Sequence, residues 1–241
     1  MTSARQIYLG SRRGPALPYD SEVEYLKSTG TQYIDLGLFP QVITAVELDC
    51  QFNQLGKCLM LGSYNGYDSG ANMVVGTNEN LNYFWTQWGL SYGGSCLKDT
   101  QRHLHRFERD GNLRFTYTVD GGYLYTGANV STQPTNNQYS CFLFACNNMG
   151  TLYRQSVASL YSCKVSDGDS VVRDLVPVRF TNAQGVSEGA MYDRVSGQLF
   201  RNVGTGAFVF GTDIAVGGGY KCLGYSPLRF SRFSRLWKEA A

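Results

Sequence analysis

Residues 44–52 read TAVELDCQF. Val46, Leu48, Cys50 and Phe52 alternate with Glu47, Asp49 and Gln51, a period of two that an extended chain turns into one oily and one wet face. The stretch therefore predicts a β-strand with one face against a core, Cys50 among its inward residues. The pattern returns where Leu113, Phe115, Tyr117 and Val119 alternate with Arg114, Thr116 and Thr118. Cys141–Cys146 (CFLFAC) is apolar throughout and predicts a central strand covered on both sides, its two cysteines facing opposite ways. Val157–Val165 and Val171–Val178 supply two more strands.

Between these runs lie residues that tolerate positive φ. Asp110-Gly111, Asp120-Gly121-Gly122 and Ser196-Gly197 predict tight hairpins. A dozen short strands punctuated by glycine imply two sheets packed face to face, and closing them as a jelly roll manages their edges. The predicted fold is all-β: a two-sheet antiparallel jelly-roll sandwich with a short N-terminal arm and a basic amphipathic tail. Residues 1–18 form the arm and a stiff linker ending in Gly14-Pro15-Ala16-Leu17-Pro18, 19–213 the domain, and 214–241 a glycine-rich hinge (Gly217–Gly219) and the tail.

The 241 residues include 28 Gly, 17 Tyr and 13 Phe, with 43% hydrophobic and 17% charged residues, so apolar area is ample for a core. No apolar run approaches the ~20 residues of a membrane span, and Met1–Arg13 lacks the apolar centre of a signal peptide. No membrane insertion is expected. The net charge of +2 is unevenly spread: Arg5, Arg12 and Arg13 precede the domain, and Lys221, Arg229, Arg232, Arg235 and Lys238 face only Glu239 behind it, leaving 19–213 acidic. A domain built to hold nucleic acid would carry its cations on the folded surface, so no nucleic-acid partner is expected. Seven cysteines, an odd number without a CxxC pair, read as buried thiols folded in a reducing compartment rather than a disulfide scaffold or zinc site.

Two further stretches, Tyr25–Gly37 (YLKSTGTQYIDLG) and Gly189–Gly211 (GAMYDRVSGQLFRNVGTGAFVFG), stand with His105–Gly111 (HRFERDG) and Tyr161–Pro177 (YSCKVSDGDSVVRDLVP) in a recognisable order. Together they resemble the laminin-G-like, concanavalin A-like jelly rolls of phage, prophage and gut-bacterial surface proteins. The resemblance implies a jelly roll in a superfamily of lectins, adhesive modules, virion fibres and glycoside hydrolases. It also implies an address on a virion or extracellular surface. Read physically, the motif residues are folding devices: Gly30 and Gly37 bracket a strand, Asp193 and Asn202 cap turns, and Gly204 and Gly206 permit a tight corner.

Hydrolases on this scaffold use Glu-x-Asp-x-x-Glu along one strand to aim two carboxylates at the bond. Here Glu47-Leu48-Asp49 is followed by Phe52 where the second Glu belongs, and Glu22-Val23-Glu24 by Lys27. There is no Gly-x-Ser-x-Gly elbow and no phosphate loop. A non-enzyme is expected. His103 and His105 share a strand face without an obvious third ligand, and no metal or cofactor is expected there.

The densest aromatic segment, Tyr83-Phe84-Trp85-Thr86-Gln87-Trp88, alternates in a strand so that one set of rings fills the core and the other could form a platform for a sugar ring. Tyr83, Trp85, Trp88, Gln87 and Asn82, with Asp68 and Asn72 from the neighbouring loop, are the candidate carbohydrate-binding residues; core packing competes for the same rings. Asp68 with Asn65 and Asn72 could instead hold calcium, yet one carboxylate is a poor start toward six to eight oxygens.

The tail has Ser226-Pro227 as a helix start. On a helical wheel Phe230, Phe233 and Trp237 group within about one sixth of a turn, with Arg229, Arg232, Arg235 and Lys238 around the rest. Such a segment needs a surface: its own domain, a second copy or assembly partner, or a membrane. Four cations at about 1 kcal/mol each give roughly millimolar membrane binding, too weak alone to localise a protein. The expected partners are therefore a glycan and, through the termini, other protein chains in a homo-oligomeric assembly, in which repeated copies make weak sugar contacts useful. A purely architectural subunit and a hydrolase with an atypical site are the rival readings.

Overall fold

The computed structural model describes residues 17–66, 72–77, 84–88, 91–95, 99–109, 115–126 and 137–214, with 84–88, 91–95, 115 and 123–126 described as backbone alone. The arm up to residue 16, the tail from residue 215, Asp110-Gly111 and the aligned positions 113–114 lie outside the described residues.

In chain order the strands are β1 Ser21–Glu22, β2 Leu26–Thr29, β3 Ile34–Asp35, β4 Ala45–Phe52, β5 Cys58–Tyr64, β6 Met73–Thr77 and β7 Phe84–Trp88. Then come β8 Ser91–Ser95, β9 Arg102–Arg109, β10 Phe115–Val119, β11 Gly122–Thr126, β12 Phe142–Leu143 and β13 Cys146–Asn148. The last are β14 Thr151–Tyr153, β15 Val157–Asp167, β16 Ser170–Thr181, β17 Ser187–Asp193, β18 Leu199–Phe200 and β19 Val209–Phe210. Among the described residues the only helical turn is the 3₁₀ turn Pro40–Val42.

These strands make an all-β sandwich of two sheets. The larger runs β11-β10-β9-β4-β15-β16-β17-β18, with β1 added on β16 and with β2 on β15 carrying β19. The smaller runs β14-β13-β5-β6-β7-β8, with β12 on β5 carrying β3. Among the described residues every pairing is antiparallel except β13 with β5, a parallel exception to the predicted antiparallel order. Both Asp120-Gly121 and Ser196-Gly197 form the anticipated turns, with φ of 76° at Gly121 and 73° at Gly197.

The alternation that decided the fold is realised residue by residue. Val46, Leu48, Cys50 and Phe52 are buried, while Ala45, Glu47, Asp49 and Gln51 are half-exposed. The inward residues join Leu26, Ile34, Met60, Phe107, Tyr117, Phe144, Leu160 and Leu175 in one core between the sheets. Each fully buried aliphatic or aromatic side chain stabilises by about 1.5–3 kcal/mol, so this layer is the main source of the sandwich's cohesion. Two smaller clusters lie apart from it: Val176, Val178, Phe180 and Ala190 on the larger sheet, and Leu59, Val74 and Cys146 on the smaller.

CFLFAC departs from its expected form. All six residues are buried, but they do not make one strand. Phe144 takes φ of 64°, a left-handed conformation unusual for an aromatic residue, and splits the run into β12 and β13. Its N–H donates to the Met60 carbonyl and its own carbonyl accepts from Ser156, so the break is hydrogen-bonded on both sides. The ring packs on Phe208 at 5.1 Å between centroids. Cys141 still ends in the main core and Cys146 in the satellite cluster opposite, as their spacing foretold.

Candidate functional site

Two of the motifs behind the family resemblance, Tyr25–Gly37 and Gly189–Gly211, fold against one another as a closed corner. Asn202 Oδ1 accepts the N–H groups of Tyr33 (3.2 Å) and Gly204 (2.9 Å), and its Nδ2 donates to the Gly206 carbonyl at 2.8 Å. Gln32, 2% exposed, accepts the Thr29 N–H at 2.8 Å and the Ser28 hydroxyl at 3.1 Å. Main-chain bonds run from Val203 to Tyr33 and from Thr205 to Thr31. A Cβ on Gly204 would lie 2.1 Å from the Thr31 carbonyl oxygen, which is why that position must be glycine. Asp193, fully buried, accepts from the N–H groups of Asp174, Val195 and Ser196 and caps the β17–β18 turn as its position predicted.

At the far end of the smaller sheet lies a second cluster of amides. Asn137 Nδ2 donates to Ser63 Oγ at 2.8 Å, the Ser63 hydroxyl donates to the Tyr139 carbonyl at 2.8 Å, and Asn137 Oδ1 accepts the Tyr139 N–H at 2.8 Å. Asn147 donates to the Ser140 carbonyl at 3.0 Å and accepts the Gly150 N–H at 2.9 Å. Asn72 closes the neighbouring loop: its Oδ1 accepts the Asn65 N–H at 2.6 Å and its Nδ2 donates to the Gly66 carbonyl at 2.7 Å. These three buried amides are braces.

What they brace is open. Met149 is 52% exposed and Tyr153 40% exposed, with the Arg154 guanidinium 4.9 Å from the Tyr153 ring centroid. Met149 and Arg154 hold φ of 50° and 51°, so two non-glycine residues five positions apart sit in the left-handed region. Asn148 Oδ1 is shielded from solvent and has no hydrogen-bond partner among the described residues, a deficit that native structures seldom leave. The rim combines neutral amides, a thioether and a tyrosine face.

The candidate residues divide around this rim. Asn72 lies within it as a loop brace. Trp88 ends β7 opposite Met73, the residue that follows Asn72, so the aromatic strand terminates beside the rim. Register pairs Phe84 with Thr77, Trp85 with Gly76, Thr86 with Val75, Gln87 with Val74 and Trp88 with Met73. Tyr83, Asn82 and Asp68 lie outside the described residues, as do the tail positions Arg229, Phe230, Arg232, Phe233, Arg235 and Trp237. Sequence reading missed Asn137, Asn147, Asn148, Met149 and Tyr153, because the contacts that unite them span up to 76 positions.

Glu47 and Asp49, the acids nearest the hydrolytic spacing, are ion-paired on the outer face of the larger sheet. Arg102 grips Asp49 with two bonds of 2.8 and 2.7 Å, and Arg106 pairs with Glu47. The Arg102 guanidinium also lies 3.7 Å above the Tyr161 ring, where a β-bulge between Leu160 and Ser162 interrupts the register. Glu47 and Asp49 thus serve as the polar face of β4. His105 is buried, its Nδ1 2.9 Å from the Tyr117 hydroxyl, and burial pushes its imidazole down to about 4. Cys50, Cys58, Cys141, Cys146 and Cys163 are all buried free thiols, and burial raises each one's pKa.

No protein-family model matches the chain, and no curated protein does. A solved structure, the CBM40 of the Ruminococcus gnavus IT-sialidase, aligns with 59% of this chain and 89% of its own, at 10% identity and a TM-score of 0.46.

Proposed function

We propose that this chain is a non-catalytic attachment module whose asparagine-rich rim receives a glycan. One observation carries the reading: beside rigid internal braces the rim exposes the apolar faces of Met149 and Tyr153, and next to them the half-buried Asn148 side chain holds an unpaired acceptor that it must turn outward to offer a ligand. Saccharides present that chemistry in complement, hydroxyls for amides and C–H faces for an aromatic ring. A rim braced in advance loses little entropy on binding, which suits a shallow site. Glu47 and Asp49, each gripped by an arginine, support the non-catalytic part.

The wider setting rests on the motif resemblance and the two basic ends. It is a component of a phage or prophage virion, or of another extracellular surface, assembled as a homo-oligomer through 1–18 and 214–241. Repetition then lifts weak single-site sugar binding into useful avidity. The test is a glycan array with the assembled full-length protein, repeated with Tyr153→Ala and Asn148→Ala. Signal on defined glycans, lost in both variants while their unfolding curves stay put, is the expected result. An assembled protein that binds no glycan, or variants that bind as well as the parent, would overturn the reading.

A further inference from the structure

His103 stands between two acids at the opposite end of the sandwich from the rim. Its Nδ1 lies 2.6 Å from Asp120 Oδ2 and its Nε2 lies 3.0 Å from Asp99 Oδ1. A neutral imidazole has one N–H and one lone pair, and an ionised carboxylate can only accept. Both contacts are attractive at once only when the ring carries both protons. With one proton gone, a ring lone pair must face a carboxylate oxygen.

We propose that His103 is a proton-operated latch: charged, it ties the loop 99–101 to the β10–β11 turn at Asp120-Gly121, and neutral, it lets that loop go. The turn is the fixed side. Asp120 Oδ1 accepts the Leu104 N–H at 2.9 Å, and the Asp120 N–H returns a bond to the Leu104 carbonyl. Among the described residues Asp99 otherwise accepts only the Gln101 N–H, within its own loop, at 2.8 Å. Release therefore frees Asp99.

The groups facing His103 are Asp99 from the loop, Asp120 from the turn, His105 on its own strand with ring centroids 6.0 Å apart, and Cys50 opposite it on β4. Burial keeps His105 and Cys50 uncharged at neutral pH. Burial also opposes charge on His103, but the hydrogen bonds and fields of Asp120 and Asp99 outweigh it and raise its pKa. Asp99, chiefly through the Gln101 N–H, and Asp120, against its own burial, titrate below the ordinary carboxylate range. The latch is closed between those lowered values and the raised His103 value, and opens as pH climbs through the latter.

The loop reaches the outer face of the larger sheet. The Thr100 carbonyl accepts from Gln51 at 2.7 Å, and Arg102, two residues on, carries the stack on Tyr161. Proton loss at His103 loosens the edge of that aromatic and ion-paired surface.

Magnetic resonance on the full chain tests this. The His103 ring should titrate above its ordinary 6.5, and the Gln101 amide should shift with the same midpoint. After correction for intrinsic rates, exchange at Gln101 should become about tenfold faster above that midpoint while Leu104 stays protected. Asp99→Asn, an exposed change, should abolish the difference, because an amide can face either a ring donor or a ring lone pair. His103→Gln should abolish it too. A His103 midpoint at or below 6.5, a Gln101 amide indifferent to it, or an Asp99→Asn protein with the parent's pH response would each overturn the latch.

Discussion

The corner at Thr31–Tyr33 and Asn202–Gly206 and the rim at Asn137–Ser140 and Asn147–Tyr153 use the same material for opposite ends. Both hold loops with amide side chains bonded to main-chain groups. At the corner, Asn202 and Gln32 spend their amides on the chain itself, and backbone meets backbone so closely that Gly204 has no room for a methyl. At the rim, Asn137, Asn147 and Asn72 are spent likewise, yet they frame an unpaired Asn148 oxygen, two strained backbones and exposed faces. A fully satisfied network is rigid and inert; one left a bond short, on a rigid support, is where a ligand can act.

The contrast can be broken at either side. Gly204→Ala should do most: a backbone carbonyl cannot retreat as a side-chain tip could, so a loss of about 4 kcal/mol or more is expected, read as a collapsed unfolding midpoint. Asn202→Ala comes next, about 2 kcal/mol in denaturant titration, because three main-chain bonds, two of them half-buried, are lost together. Asn147→Ala should cost about 1–2 kcal/mol by the same measurement and weaken glycan binding through the shape of its turn. Met149→Ser, at an exposed site, should move stability by no more than about 0.5 kcal/mol while lowering affinity on the array. If Met149→Ser destabilised as much as Asn202→Ala, rim and corner would be the same kind of structure and the functional contrast would fall.

Much of the frame was legible in the sequence because its signals are local. Val46 to Phe52 needs only neighbours two apart to declare its inner face, and Asp120-Gly121 declares its own turn. Gly204 and Asn202 were readable as corner residues from spacing, although their partners at Thr31 and Tyr33 were not. CFLFAC misled because an unbroken apolar run has no period, and nothing in its composition marks Phe144 as the residue that turns left-handed. The rim was half visible through Asn72. Its other amides arrive from loops far along the chain, which only the finished sheet brings together. His103 needed three-dimensional register as well, since its acids come from a loop and a turn on either side of its strand.

The central strand β4 has no partner until residues 102–109 and then 157–167 have been made, and β2 closes on residues 209–210. Sheets stitched from such distant segments form slowly, because large loops must be ordered before any pairing rewards them. A chain emerging from the ribosome at about 5–20 residues per second leaves the oily side of β4 bare for seconds. During that interval the thiol of Cys50 and the row Val46–Leu48–Phe52 are exposed to oxidants and to other nascent chains. Yield in a heterologous host should therefore be governed by chaperone supply and slow translation more than by the equilibrium stability of the finished sandwich.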